Sequence, residues 1–255
     1  EVIRIIEEQG KLTEELKQEI LKAEVLQRVE DLYKPFKQKK STRASKAKEK
    51  GLGPMAIVFW AQDLETGTPE ELAAAYVDEE KGVANVGEAI QGAMDIVAEM
   101  IADDPELTAI VRDRTQRAGL ISSEATDPAE STVYDLYYEF SEGIAKIPDH
   151  RVLAINRGEK EKKLKVKVAA PVEEIRKDMQ KFVIQNEKSI FTGLLTDVIE
   201  DSYKRLMAPS IEREMRNLLT ERAEREAVKV FAKNTEKLLM VPPVKNARII
   251  SLDPG

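Results

Sequence analysis

Cysteine is absent from this sequence, and histidine occurs once, at position 150. Without cysteine the chain can form no disulfide, no thiolate metal site and no cysteine nucleophile. A single histidine gives little support for a metal site, and His150 precedes a segment with strand character, where we expect a structural hydrogen-bonding role. The absence of cysteine is compatible with a reducing cytosol, and a cytoplasmic location is therefore expected.

Aromatic residues and long apolar runs are also scarce. Aromatic side chains make up 5% of the 255 residues, which excludes an aromatic-rich barrel or a platform for base stacking. The apolar stretches are far shorter than the roughly 20 residues that cross a bilayer, so no membrane partner is expected. Because no nucleophile elbow, P-loop or Gly-x-Gly-x-x-Gly motif occurs, the sequence predicts neither an enzyme nor a bound cofactor.

Charge of both signs is abundant, with charged residues at 34% and hydrophobic residues at 42%. The net charge of −7 excludes a globally basic nucleic-acid-binding protein, so any such binding requires a local cluster of cations. One cluster, here called the basic segment, spans residues 34–50. It holds eight cations and a single acid, the cations being Lys34, Lys37, Lys39, Lys40, Arg43, Lys46, Lys48 and Lys50.

The basic segment has two interpretations. Phosphate binding needs several cations on one surface, because each contact releases condensed counterions. Under this interpretation Lys34, Lys37, Lys39, Lys40 and Arg43 are the candidate nucleic-acid-binding residues, since they lie closest together in the sequence. The alternative is a solvated loop and helix face, which is favoured if the cations do not share a face.

Helical periodicity dominates the chain and predicts a mainly α fold: a multi-helix domain with one β-hairpin and a long C-terminal linking helix. Thr68 and Asp104, each followed by proline, are typical helix starts. After helical residues 1–33, the spacing predicts helices at 54–64, 69–76, 86–102, 105–118, 172–186, 189–207 and 209–239, and a loop at 122–131. The last helix would run roughly 45 Å at 1.5 Å per residue.

Two segments carry the strongest strand signals in the body of the chain. They predict a β-hairpin at about 150–169, in which residues 151–155 pair antiparallel with residues 164–168. The residues between them, 157–163, would form an exposed basic connection. In the second strand, apolar residues alternate with Lys165 and Lys167, so both lysines are expected on one face.

The predicted domain organisation follows from these elements. Residues 1–50 form an N-terminal helical region with the basic segment, 51–208 a helical core with the hairpin, and 209–246 a long helix and linker. Residues 247–255 are predicted to be the first strand of a further domain, because a lone strand cannot cover its own edges. Since the chain also starts without methionine, we expect it to be a piece of a longer protein.

Five segments carry motifs that occur in the same order in one known family. They are Glu30–Arg43 with its tyrosine–proline–aromatic–lysine pattern, Tyr76–Val83, Ile147–Glu159 with a proline–histidine–arginine pattern, Ala223–Asn234 and Ser251–Gly255. Together they cover essentially the whole chain and resemble the bacterial transcription accessory proteins of the Tex family. Lys34 stands where leucine is common in that family, and the stretch 172–188 is weakly matched.

The resemblance implies a transcription accessory protein that binds nucleic acid, with RNA as the expected ligand and the transcription machinery as a second expected partner. The final residues resemble the entry into the family's RNase H-like (YqgF-type) domain. Complete members also carry helix-hairpin-helix motifs and an OB-type domain, to which RNA binding is usually attributed and which this chain lacks. The chain would then be the helical scaffold of such a protein.

Two alternatives to nucleic-acid binding remain. One is a scaffold for protein–protein interaction without nucleic-acid contact. The other is part of a metal-dependent nuclease, because Asp253 resembles the acidic metal ligand on the first strand of RNase H-like folds. Two-metal hydrolysis requires several carboxylates from separate strands, and a single aspartate cannot supply them. We therefore predict no catalytic residue and no metal site in this chain.

Overall fold

The structure, a computed structural model, describes residues 2–23, 26–36, 41–242, 245, 248 and 250–253. Its helices are α1 Val2–Glu8, α2 Glu14–Lys22, α3 Leu26–Tyr33, α4 Arg43–Glu49, α5 Gly53–Ala61, α6 Pro69–Ala74, α7 Val86–Asp103, α8 Pro105–Ala118, α9 Asp149–Lys160, α10 Val172–Val183, α11 Thr192–Asp201 and α12 Ala208–Leu239. Its strands are β1 Leu120–Ala125, β2 Glu139–Gly143 and β3 Leu164–Ala169. The predicted mainly α class is confirmed.

Local capping explains where several helices begin. Thr68 accepts a hydrogen bond from the backbone N–H of Glu71, whose side chain accepts one from the N–H of Thr68 in return. Asp104 accepts from the N–H groups of Glu106 and Leu107. Each cap satisfies backbone donors that the first turn of a helix leaves unpaired, so these starts can be read from the sequence.

Helix α7 forms the centre of the main core, and α4, α5, α6 and α11 all pack against it. Gly92 of α7 permits the close approach of α4, because a Cβ atom there would lie 2.3 Å from Cδ1 of the buried Leu52 and 3.3 Å from Cβ of Ala47. A smaller apolar cluster, formed by Ile6, Ile20 and Leu32, lies among the N-terminal helices. The described N-terminal helices thus have their own small core beside the main one.

The three strands form one antiparallel sheet in the order β2-β1-β3. In the central strand, Ile121 and Ser123 are buried, whereas Leu120 and Glu124 are exposed. This alternation places one face of the sheet on the core and the other face in solvent.

The predicted β-hairpin at about 150–169 is wrong in its first half. Residues 149–160 form α9, and β3 pairs with β1 instead. The apolar run at 152–155 is too short to distinguish a strand from a buried helical turn, and the buried Val152, Ile155 and Gly158 follow a helical spacing of three. The partner strand β1 overlaps the predicted loop 122–131 at residues 122–125, because its serines and glutamate give little strand signal.

Helix α9 ends in a Schellman motif that contains a lysine at the left-handed position. Lys162 has φ +60°, its N–H donates to the carbonyl of Glu159 at 2.9 Å, and the N–H of Lys163 donates to Gly158 at 2.9 Å. Helix α4 ends in the same way, but Gly51 takes the left-handed position with φ +85°. Glycine has no Cβ atom and adopts this conformation without steric cost.

Substitutions at the two left-handed positions should change stability in opposite directions. We expect Lys162→Gly to raise the free energy of unfolding by about 0.5–1 kcal/mol, because it relieves the left-handed strain. Gly51→Ala should lower that free energy by about 1 kcal/mol for the converse reason. Urea unfolding followed by circular dichroism measures both. Equal signs for the two changes would show that the left-handed conformation does not control stability here.

The C-terminal helical path is longer than we predicted. A π-helical segment, Ser202–Met207, joins α11 to α12, so residues 192–239 are helical without a break where we expected separate helices at 189–207 and 209–239. Pro209 lacks the N–H that would bond to the carbonyl of Arg205, which is consistent with a widened turn at that place. The predicted long C-terminal helix itself is confirmed; α12 has 32 residues.

Only the first half of α12 lies against the core. Ile211, Met215, Leu219 and Ala223 are buried at intervals of four residues, whereas Phe231 is 72% exposed. The apolar side chains in the second half of this helix, Phe231 among them, therefore face solvent within the described residues. Beyond it, the described residues 248 and 250–253 carry no strand, and the predicted first strand at 247–255 stays a prediction because residues 247, 249, 254 and 255 lie outside the described residues.

Candidate nucleic-acid interface

Helix α4 carries the described C-terminal part of the basic segment, and its orientation is set by its cap and its buried face. Thr42 accepts from the N–H of Ser45 at 3.0 Å, and Ser45 Oγ accepts from the N–H of Thr42 at 2.8 Å. Ala44 and Ala47 are 2% and 5% exposed and pack in the main core. The remaining faces of the helix are therefore turned away from the core.

Arg43, Lys46 and Lys50 lie along one flank of α4, because their spacing brings them within about one-sixth of a helical turn of each neighbour. Arg43 and Lys46 are exposed, while Lys50 Nζ donates to the carbonyl of Gly82 at 2.6 Å. Arg43 is also close enough to Asp95 to affect it: burial raises the pKa of Asp95, and the charges of Arg205 and Arg43 partly oppose this rise. Arg43 and Lys46 are thus the exposed pair on this flank.

Two other cations of the basic segment contact α7. Lys34 Nζ donates to the carbonyl of Ala102 at 2.6 Å, in the last turn of that helix. Lys48 forms an ion pair with Glu99 at 3.8 Å. A cation near the C-terminal end of a helix is favourable because the last carbonyls lack intrahelical partners. Lys34, which we predicted as a phosphate ligand, therefore also has a structural role at the C-terminal end of α7.

The other three candidate residues, Lys37, Lys39 and Lys40, lie outside the described residues. Their predicted contact with nucleic acid therefore stays a prediction. Of the five candidates, the structure places Arg43 on an exposed flank and Lys34 against the end of α7.

An ion network that the sequence did not reveal joins α3, the helix before the basic segment, to α8 and α12. Arg112 on α8 binds both oxygens of Asp31 on α3 at 2.8 Å, and it binds both oxygens of Glu214 on α12. Burial alone would lower the pKa of Arg112, but its hydrogen bonds to Asp31 and Glu214 outweigh that effect and hold the pKa above its ordinary value. Because α3 leads directly into the basic segment, this network fixes where that segment leaves the body.

A groove of about 700 Å³ between α8 and α12 carries charges of both signs. Its lining residues include the cations Arg117, Arg222 and Arg225 and the acids Asp113, Glu221 and Glu226. Arg117 pairs with Asp113, and Arg222 donates to Asp149 and to the carbonyl of Ile147. These opposed charges make the groove a poor site for a polyanion.

The β3 lysines lie where the alternation predicted. Leu164 is 3% exposed, whereas Lys165 and Lys167 are exposed on the opposite face of the sheet. On the outer face, Lys165 stands opposite Glu124 and Lys167 opposite Ser122 in the register with β1. The predicted single face for these lysines is confirmed, although their strand partner differs from the predicted one.

His150 lies exposed in the first turn of α9 and not before a strand. No group of three histidine, aspartate or glutamate residues that could hold a metal ion occurs in the part of the chain that the structure describes. Among the described residues there is also no helix with the length and apolar character needed to cross a membrane.

Comparisons with known proteins identify relatives of this chain. The family model described as Tex central region-like matches residues 65–231. The chain is 46% identical over 263 residues to an uncharacterized protein of Bacillus subtilis (strain 168), YdcI, with 100% of this chain and 36% of that protein covered. It is 31% identical over 264 residues to the Transcriptional accessory protein Tex of Neisseria gonorrhoeae, with 100% and 34% covered.

A human protein is also similar. The chain is 30% identical over 271 residues to the human S1 RNA-binding domain-containing protein 1, with 99% of this chain and 26% of that protein covered. The chain thus spans about a third of the length of the curated relatives that it matches, or less.

Proposed function

Because this chain belongs to the Tex family, we propose that it is the helical scaffold of a transcription accessory protein that binds nucleic acid, with RNA as the ligand. The observation that carries this proposal is similarity along essentially the whole chain to a protein named for transcription and to one named for RNA binding. We further propose that the complete protein acts in the cytoplasm beside the transcription machinery.

The architecture supports a scaffolding role. The helical path 192–239 starts inside the main core, and only its first part is buried there. The second part continues into solvent, roughly 24 Å long from Ala223 to Leu239 at 1.5 Å per residue. A continuous helix that is anchored at one end can hold a neighbouring module at a set distance from the core.

We propose that direct RNA contact by this chain involves Lys37, Lys39, Lys40 and Arg43. Replacing all four by alanine should lower the affinity for single-stranded RNA at least about tenfold. The slope of log affinity against log salt should become shallower by about 3, since each lost phosphate contact removes about 0.7. Fluorescence anisotropy titrations at low and at physiological salt measure both quantities.

A matched control separates this site from the effect of overall charge. Lys146, Lys177, Lys181 and Lys188 are exposed and form no ion pair within the described ranges, so their replacement by alanine changes the net charge equally. This control should keep its RNA affinity within about twofold. If the two variants bind equally well, the basic segment is only a solvated face.

The distal half of α12 favours a second candidate function, a scaffold for protein–protein interaction. Val228, Phe231 and Leu238 are 67%, 72% and 74% exposed, and such apolar exposure often marks an interface. This function gains support if the chain binds no RNA at either salt concentration. We propose no hydrolytic activity; RNA cleavage with Mg²⁺ or Mn²⁺ that Asp253→Asn abolishes would favour the nuclease alternative instead.

A further inference from the structure

A second concentration of positive charge lies more than 100 residues after the basic segment in the sequence, between the end of α9 and β3. Within residues 160–167 there are five lysines and one acid. The lysines are Lys160, Lys162, Lys163, Lys165 and Lys167. In a chain with a net charge of −7, such a local excess is unusual enough to need an explanation.

Three of these lysines lie in or just before β3 and are exposed. Lys162 occupies the left-handed position at the end of α9, two residues before the strand begins. Lys165 and Lys167 project from the solvent face of β3, about 6.7 Å apart along the strand. Leu164, packed beneath them where Gly158 leaves room, fixes which face of β3 is turned outward. We call Lys162, Lys165 and Lys167 the β3 lysine row.

Two acids next to these lysines in sequence or in space, Glu130 and Glu161, are occupied by other cations. Glu130 accepts from Lys163 Nζ at 2.6 Å, and Glu161 accepts from Arg157 at 3.0 Å. The hydrogen bond to Arg157 lowers the pKa of Glu161, so Glu161 stays ionised and paired. By contrast, the three members of the β3 lysine row form no ion pair within the described part of the chain.

Acids on the neighbouring strands limit where a polyanion can lie. Glu124 of β1 stands opposite Lys165, and Glu139 of β2 stands opposite Glu124. Lys167 instead has the neutral Ser122 opposite it, and Ser141 follows on β2. The negative charge of Glu124 and Glu139 on the β2 side would repel a phosphate backbone. A bound nucleic-acid strand must therefore run along β3 itself.

We propose that the β3 lysine row binds the phosphodiester backbone of single-stranded RNA. This inference rests on the proposed function, which supplies RNA as the polyanion, and it adds a second contact surface to that function. Ammonium groups on flexible stems bind phosphates as point charges, so the contact carries no base preference. On the outer face of the sheet, Ser122 and Glu124 of β1 are the residues opposite Lys167 and Lys165, so the cations available to a ligand on β3 are the lysines themselves, and these bind phosphates.

The test is a titration of fluorescent single-stranded RNA against the 255-residue chain and a Lys162/Lys165/Lys167→Ala variant. We expect the variant to lose about tenfold in affinity at low salt, with a salt slope shallower by about 2. A Lys162/Lys165/Lys167→Arg variant should retain the affinity of the parent chain, because it keeps the charges. Circular dichroism and thermal unfolding establish that each variant is folded.

The control is Lys177/Lys181/Lys188→Ala, which lowers the net charge by the same amount at exposed positions of α10 and the following loop. Loss of affinity in the β3 variant but not in this control supports the row. Equal affinity of the β3 variant and the parent chain overturns it while leaving the proposed function intact. Failure of the parent chain to bind RNA at all overturns RNA contact by both surfaces. Competition by poly-glutamate as strong as that by RNA overturns the choice of RNA as the partner.

Discussion

Replacing Arg112 by methionine is expected to lower the free energy of unfolding by about 3–5 kcal/mol, because it removes one partner from a buried ion network. Asp31 is 5% exposed, and its carboxylate would lose both contacts that Arg112 makes with it at 2.8 Å. Glu214 on α12 would lose its contacts with the same guanidinium. Urea unfolding followed by circular dichroism measures the change.

The control for this result removes the whole network. A triple variant, Arg112→Met with Asp31→Leu and Glu214→Met, replaces all three charged groups of this network and should be more stable than Arg112→Met alone. If the triple variant is instead less stable than the single one, unpaired charge is not the cause of the loss. A cost below about 1 kcal/mol for Arg112→Met would show that water reaches the carboxylates readily.

The second large effect is expected at Gln62, which joins the end of α5 to the end of α10. Its side chain is buried, its Nε2 donates to the carbonyl of Val183 at 2.8 Å, and its Oε1 accepts from the N–H groups of Gln185 and Asn186. Gln62→Ala should lower the free energy of unfolding by about 2–3 kcal/mol, because the carbonyl of the buried Val183 loses its side-chain donor. Thermal and urea unfolding both test this expectation.

Gln62→Gly distinguishes the hydrogen bonds from the backbone conformation. Gln62 has φ +58°, so glycine relieves left-handed strain while removing the same side-chain contacts. We therefore expect the glycine variant to be about 0.5–1 kcal/mol more stable than the alanine variant but still less stable than the parent chain. A glycine variant as stable as the parent would mean that the hydrogen bonds contribute little.

Helix starts and one sheet face were determined by the sequence alone, because both depend on local chemistry. A side-chain cap contacts a backbone group two or three residues away, so Thr68 and Asp104 mark their helices without reference to the rest of the chain. Side chains on a strand alternate between faces, and this alternation put Lys165 and Lys167 on one solvent face before any partner strand was known.

The fate of the segment 150–160 depended on tertiary structure. Its short apolar run suits a strand or one buried face of a helix, and packing decided between them: α9 lies against α12 through contacts such as the hydrogen bond from Asn156 to Thr220. The strand that β3 required came from residues 120–125, whose composition gives little strand propensity. Pairing partners this far apart leave no local trace in the sequence.

For the candidate site, too, the sequence determined which cations are present and the tertiary structure determined what they contact. Composition alone located the basic segment, since eight cations within 34–50 need no structure to be counted. Only the tertiary structure showed that Lys34 binds the carbonyl of Ala102, 68 residues away, and that Arg112 reaches Asp31 and Glu214 across 81 and 102 residues. The physical reason is that the partner of a cationic side chain is the carboxylate or carbonyl that the fold brings within about 3 Å of it. Its position in the sequence, by contrast, is known without the fold.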